Sequence, residues 1–423
     1  MDDGLAWMGY RHAWGQEVPF GLRTADRRHH TYVVGKTGSG KTTLLRNVIL
    51  DDMYADRGVG VIDPHGDLAS ELLDCIPSWR AEDLVYFDPA DYDFPIGINL
   101  LEQVRPEERH LIASGIVSTL KNIWGDSWGP RMEWILNACI IALLECQNVT
   151  LLGIPRMLVD EDYRLWVLKQ VRDPMVKAVW ERELSRFDRR MWQEAISPIQ
   201  NKVGAFLLAA PVRNILGQVK SRINARFMMD NRRIFIANLS KGRLGEDNSN
   251  LLGAILVTMF QLAAMSRTTI HEEERKDFHL VVDEFQNVSS DSFISILSEA
   301  RKYRLALTLS HQHASQLRQE IRESVYGNVG SIISFCVGSS DAEVLSREFG
   351  GDYPPAQFTQ LRRFEVLAKL LENGEAGTPF RGTTLPPLKP KGSLRETLIR
   401  RSREKYAVAK GDVEDKIRRW LGR

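Results

Sequence analysis

Eight residues, Gly35, Lys36, Thr37, Gly38, Ser39, Gly40, Lys41 and Thr42, fit the spacing G-x-x-x-x-G-K-[ST]. Small residues let backbone N–H groups curl around a chain of phosphates, and a helix opening at the end of the loop adds its positive pole. Lys41 is expected to reach the β- and γ-phosphates of a nucleoside triphosphate. The Thr42 hydroxyl is expected to sit on Mg2+, with Thr43 beside it in the binding loop. Such chemistry needs a carboxylate at a neighbouring strand end. Leu280, Val281 and Val282, followed by Asp283 and Glu284, supply one. Asp283 is expected to hold the Mg2+ shell, and Glu284 to polarise the attacking water as general base.

Beyond the next apolar run, 305–309, stands Gln312, placed to sense the γ-phosphate. His311 and His313 flank it and read as structural imidazoles. Charge on a transferred phosphoryl group calls for a further cation, commonly an arginine of a neighbouring subunit. Arg301 and Arg304 are the main candidates, and Arg27 and Arg28 weaker ones. Asp63 and His65, in the segment VIDPHGD, line the nucleotide, couple it to DNA, or form a plain strand-to-turn junction.

These residues need a scaffold that brings strand ends together. The run 31–34 is β-rich and stops at Gly35, and helical spacing follows over 43–54. Further strands are expected at 58–63 and 84–87, so the first hundred residues predict a parallel α/β sheet. From 106 to 218 the pattern is helical, with breaks at Gly129-Pro130, 153–155 and Pro211. Six of the ten tryptophans fall there and are expected to pack between helices. Strands resume at 233–237, 278–282, 305–309, 331–335 and 365–371, with a buried helix over 250–266.

The expected organisation is a lead-in over 1–20, a discontinuous nucleotide-binding domain of 21–100 and 231–385, an all-α domain inserted at 101–230, and a basic tail over 386–423. The tail is Pro/Lys/Arg-rich and then expected to be helical to Leu421. Between 389 and 423 there are twelve Lys/Arg against five Asp/Glu, which reads either as a solvated, partly disordered extension or as an arm for phosphates. Formal net charge is only +1, with 43% hydrophobic and 26% charged residues, so a nucleic-acid partner would have to be met by a local patch. The four cysteines have no CxxC spacing, and zinc and disulfide frameworks are not indicated. The apolar runs 135–144 and 251–265 fall short of a membrane span.

Taken together, GKTGSGKTT, VIDPHGD, IANLSKGRLGEDNSNLLG, VVDEFQN and SEARKYRLALTLSHQHASQL resemble the HerA/FtsK superfamily of DNA-pumping ATPases. Within it they are most similar to the conjugative coupling proteins of type IV secretion systems, the TraD/TraG group. The resemblance covers about residues 20–385. It implies a RecA-like P-loop core interrupted by an all-helical domain, a homohexameric ring binding ATP and Mg2+ at subunit interfaces, and DNA in the central channel. By the family pattern Lys41, Thr42, Asp283, Glu284 and Gln312 carry over, and Arg301 matches the arginine supplied in trans. The helical domain would meet DNA, relaxosome, accessory or secretion-channel proteins. Coupling proteins usually begin with transmembrane helices and this sequence has none, so either a soluble fragment or a member without its own anchor is expected. Its expected place is the cytoplasm, at the inner face of the membrane through partners. Two other readings are a HerA-like translocase serving a nuclease in end processing or phage defence, and a protein-remodelling ATPase that does not grip DNA.

Overall fold

In a computed structural model the described residues are all but 1–3, 14, 103, 126–127, 290, 389–393 and 423, together with the side chains of 205, 291 and 292. The strands in chain order are β1 (Leu5–Ala13), β2 (Gln16–Arg23), β3 (Thr31–Val34), β4 (Gly58–Asp63), β5 (Leu84–Phe87), β6 (Ile234–Asn238) and β7 (Phe278–Val282). After them come β8 (Leu305–His311), β9 (Ser331–Ser334), β10 (Glu365–Lys369), β11 (Leu371–Glu372), β12 (Glu375–Ala376) and β13 (Phe380–Thr384). Eleven of them form one sheet in the order β2-β1-β13-β10-β9-β3-β8-β7-β4-β6-β5.

The run from β9 to β5 is parallel throughout. Its strands are covered on both faces, so every residue of β3, β4, β5, β6, β7, β8 and β9 is buried. That is why they read as continuous apolar runs. The other flank, β10, β13, β1 and β2, is antiparallel. There burial is mixed along β1, as expected where one face meets water. Neither β13 nor the nine-residue length of β1 was legible; the lead-in joins the main sheet.

Register lines up the carboxyl ends that matter. Val34 lies beside both His311 and Ser334, Val282 beside Leu309, and Ile62 beside Val282. Gly35, Asp283 and Gln312 are the next residues of β3, β7 and β8, so neighbouring strands deliver them to one sheet edge. Ligands of doubly wound sheets bind at such edges.

By packing, the chain divides into two units. The first, Met1–Phe87, Ala225–Ser240 and Ala263–Arg401, carries the whole sheet. The second, Asp88–Asn224, Lys241–Leu262 and Ser402–Arg423, has no strand among the described residues. Its helices include Arg109–Trp124, Pro130–Leu144, Glu161–Gln170 and Arg189–Leu208. Two expected breaks are helix starts instead: Gly153–Val159 and Ala210–Leu216 form, with Pro155 and Pro211 in their opening turns, where a missing N–H costs nothing. Trp124 and Trp180 are buried as expected, whereas Trp166 is 45% exposed.

The helix Glu246–Met265 extends past the apolar run that marks it. Together with its following turn, Glu246–Thr269 is, among the described residues, the one segment long and apolar enough to cross a membrane. Of its most apolar window 72% is buried inside the protein. The tail is helical to Leu421 as expected, in two pieces, Arg395–Tyr406 and Lys410–Leu421. Its reading as a solvated, partly disordered extension is corrected, because Leu398, Val413 and Ile417 are buried. Apolar spacing at i, i+4 in Val413 and Ile417 explains the second helix. Residues 389–393 and 423 of that segment lie outside the described ones.

Candidate functional site

The loop after β3 is tied down from beneath. Gly35 N–H donates to His311 O (3.3 Å), and Lys36 N–H to Cys336 O (2.7 Å). A Cβ at Gly35 would come within 2.5 Å of Phe335 Cβ, and one at Gly40, where φ is 121°, within 2.8 Å of the Phe364 ring. Larger residues could not hold this curl. The helix Lys41–Tyr54 begins at Gly40 with no side-chain cap and no acid in its first turn. Its leading N–H groups are left for an anion.

Thr37, Gly38, Gly40, Lys41, Thr42 and Thr43 line a cleft whose other wall is Asp63, His65, Asp67, Asp283, Glu284, Gln312 and Arg363. Gly35, Lys36 and Ser39 hold the loop without lining it. Lys41 is 6% exposed, and its ammonium donates to the carbonyls of Gly35 and Lys36 (3.3 Å to the latter). Burial lowers its pKa, partly offset by Glu284 and Asp283.

Asp283 leaves β7 with its N–H on Ile62 O (3.1 Å). Burial, then the carboxylates of Asp63 and Glu284, push its pKa up to about 6. That site would be relieved by a cation. Among the described residues no three His, Cys, Asp or Glu converge to hold a metal unaided. A divalent ion would therefore share its shell between Thr42, Asp283, phosphate oxygens and water, as Mg2+ does in such sites.

Glu284 takes the left-handed conformation (φ 45°, ψ 50°), uncommon for a residue with a side chain. It swings the carboxylate to meet two amides: Gln312 Nε2 donates to Glu284 Oε1 and Gln286 Nε2 to Oε2, both at 2.8 Å. The Gln312 carbonyl in turn accepts from Thr37 Oγ1 (2.8 Å). One hydrogen-bonded chain thus runs from the phosphate loop through Gln312 to Glu284.

Other candidates separate cleanly. His311 is fully buried, 3.0 Å from the Tyr32 hydroxyl through Nδ1, and burial lowers its pKa to about 3. His313 is 43% exposed and 3.9 Å from Asp341. Both Asp63 oxygens accept backbone N–H groups, of His65 and Ala69, each at 2.9 Å. Asp63 therefore shapes the turn before the helix Asp67–Leu73 while also lining the cleft.

Arg301 is not brought to the cleft of its own chain. It precedes β8, whose seven residues span about 20 Å, and so lies at the opposite sheet edge, exposed and 3.1 Å from His29 Nδ1. Arg304 lies 3.8 Å from Asp277. Arg27 and Arg28 leave the list: each makes a two-point contact, with Asp52 (2.6 and 2.7 Å) and with Asp277 (2.7 and 2.8 Å). Sequence reasoning missed Arg363, which belongs to no motif and reaches the cleft only because β10 packs near the loop. All four cysteines are free thiols.

The model of one protein family, described as the type IV secretion-system coupling protein DNA-binding domain, matches residues 16–339. Comparison with curated proteins found no match. Among solved structures the chain is similar to the plasmid coupling protein TrwB in complex with ADP and Mg2+, with TM-score 0.64 and 15% identity over 90% of each chain. It is also similar to TrwB with a non-hydrolysable ATP analogue, at TM-score 0.62 and 14% identity over 87% of each chain. VirB4 of Thermoanaerobacter pseudethanolicus gives TM-score 0.57 and 14% identity over 91% of this chain and 97% of that one. At these identities the structures speak to the fold, which is the mostly parallel, RecA-like one. The family model runs across most of the sheet-bearing unit and the helical one, and the chain belongs to the type IV secretion-system coupling protein family.

Proposed function

We propose that the chain is an ATP-driven motor of the coupling-protein type, moving DNA or a nucleoprotein substrate through a homohexameric ring. The observation that carries this is the chain Thr37–Gln312–Glu284, which joins the phosphate loop to a candidate general base on a separate strand. In this reading the loop Gly35–Thr43 binds ATP, with Lys41 as its main cation, while Thr42 and Asp283 hold Mg2+. Bound Mg2+ would neutralise charge on the transferring phosphoryl group. Glu284 takes a proton from the attacking water, and Gln312 reports the state of the phosphate loop to it.

Arg301 serves the cleft of the neighbouring subunit, a role supported by its exposure and its distance from its own loop. The helical residues 101–230 meet DNA, relaxosome, accessory or secretion-channel proteins, and such partners hold the ring at the inner face of the membrane. The test is ATP turnover with and without DNA, followed by electron microscopy of the protein with DNA and a non-hydrolysable nucleotide. DNA should raise turnover severalfold and the images should show six-membered rings around it. Turnover indifferent to single- and double-stranded DNA alike would sink the motor and favour a protein-remodelling ATPase.

A further inference from the structure

Arg363 stands outside every motif, yet it lines the cleft with Lys41, Thr42, Asp283 and Gln312. Its placement is built rather than incidental. The next residue, Phe364, has φ 69°, a conformation bulky side chains rarely adopt. Three hydrogen bonds hold it there. Phe364 N–H donates to Ser39 O of the phosphate loop (2.8 Å), and Phe364 O accepts from Thr384 N–H (2.9 Å) and Oγ1 (3.3 Å). Its ring closes on Gly40 so tightly that a Cβ there would lie 2.8 Å away.

The Arg363 guanidinium sits over that ring, 4.7 Å from the centroid. Arginine suits the place because its planar cation stacks on an aromatic face while keeping its donors free. The nearest carboxylate in sequence is engaged elsewhere: Glu365 accepts from Arg362 N–H (2.9 Å) and from Arg381 (2.7 Å). A fixed cation, stacked on a residue bonded to the phosphate loop and facing the same cleft as Lys41, fits an anion in that cleft.

We propose that Arg363 is a same-chain phosphate ligand of the bound nucleotide, distinct from the arginine supplied by a neighbour. The proposal rests on the nucleotide-site reading above. It is tested by measuring dissociation constants for ATP, ADP and inorganic pyrophosphate, in competition with a fluorescent nucleotide. The proteins are wild type, Arg363→Ala, Arg363→Lys and Lys41→Ala, each first shown to melt like wild type. Loss of one charge-assisted contact should weaken all three ligands in Arg363→Ala by roughly tenfold. Arg363→Lys should recover part of that loss, because it keeps the charge without the stacked plane.

Weakened ATP binding with unchanged pyrophosphate binding would overturn the phosphate assignment in favour of a base contact. Unchanged binding of all three ligands would overturn the proposal outright. Lys41→Ala keeps the two failures apart. If it too binds like wild type, the nucleotide site itself is misread; if it alone loses binding, only Arg363 is.

Discussion

The two edges of one sheet treat buried charge in opposite ways. At the amino end of the parallel strands, Asp52 is fully buried and met by Arg27 at 2.6 Å, Arg57 at 3.2 Å and His279 at 3.4 Å. Burial alone would raise the Asp52 pKa, but Arg27, then His279 and Arg57, outweigh it and hold it below the usual carboxylate range. At the carboxyl end Asp283, Glu284 and Lys41 are buried almost as deeply, yet among the described residues none has an ion pair within 4 Å. The pKa of Asp283 is raised and that of Lys41 lowered, both chiefly by burial, the opposite of what pairing does to Asp52. Charge that is fully paired holds the fold, whereas charge left wanting is poised for a ligand that brings its own charge. Pairing, not burial, distinguishes structure from chemistry here.

The comparison breaks first where it predicts most. Glu284→Gln should cut ATP turnover by about a hundredfold or more, the scale of a lost general base, while nucleotide binding and thermal stability stay near wild type. Steady-state turnover beside a melting curve reads both. Normal turnover would remove Glu284 from the chemistry. Asp52→Ala should do the converse. Leaving Arg27 buried and unpaired costs on the order of 3–5 kcal/mol, read as a large fall in the urea midpoint. A variant as stable as wild type would show that complete pairing is no mark of a structural role.

That contrast also explains what the sequence could and could not reveal. The phosphate loop, the Asp283–Glu284 strand end and Gln312 were legible because each is a local pattern: an apolar run, then a polar residue at its carboxyl end. The continuous apolar runs placed their strands inside a parallel sheet, whereas the neighbour order β3-β8-β7 is visible only in the structure. The Arg27–Asp52–His279 cluster was not legible, since its members are 25 and 227 residues from Asp52 and no periodicity marks a buried pair. Arg27 consequently read as a candidate for catalysis. Arg363 was missed for the same reason. It reaches the loop through Phe364, a contact set by the antiparallel flank whose β13 gave no clear signal. The helical character of the tail was legible, but its twelve cations pointed to a solvated arm, and the burial of Leu398, Val413 and Ile417 was not foreseen.

A smaller effect sharpens the amino edge. His30 and His279 are buried, and burial lowers each pKa to about 4. For His30 the bonding agrees: Nδ1 accepts from Leu307 N–H at 3.0 Å, and Nε2–H donates to Leu297 O at 3.1 Å, so only the neutral ring fits. The unfolded chain takes up these protons near pH 6.5 and the folded chain near pH 4. Stability is therefore full above pH 6.5 and falls as pH drops towards 4, by up to about 1.4 kcal/mol per pH unit for each ring. Urea midpoints at pH 7.5, 6.5 and 5.5 should show the loss. His279→Gln should flatten it by one proton's worth, and an unchanged slope would mean that the ring takes up its proton at the same pH in the folded and unfolded chains.

The smallest expected effect carries the pairing rule to the surface. The tail's cations look like a DNA-binding arm by count, yet many are already answered. Arg395 contacts both oxygens of Asp74, Arg401 lies 2.8 Å from Glu82, and Arg403 reaches Asp91. A guanidinium held by a carboxylate has little charge left to exchange for a phosphate's counterions. The Arg401–Glu82 pair is also exposed, 46% and 71%, so solvent screens it and its worth to the fold is slight. Arg401→Ala should therefore change the unfolding free energy read from urea titration by no more than about 0.5 kcal/mol and leave the salt slope of DNA binding where it was. An anisotropy titration from low to moderate salt, run on both proteins, reads the slope directly. A slope shallower by about one unit would mean that Arg401 neutralises a DNA phosphate. The carboxylate would then be a resting partner that DNA displaces, and pairing would mark structure only where water is excluded.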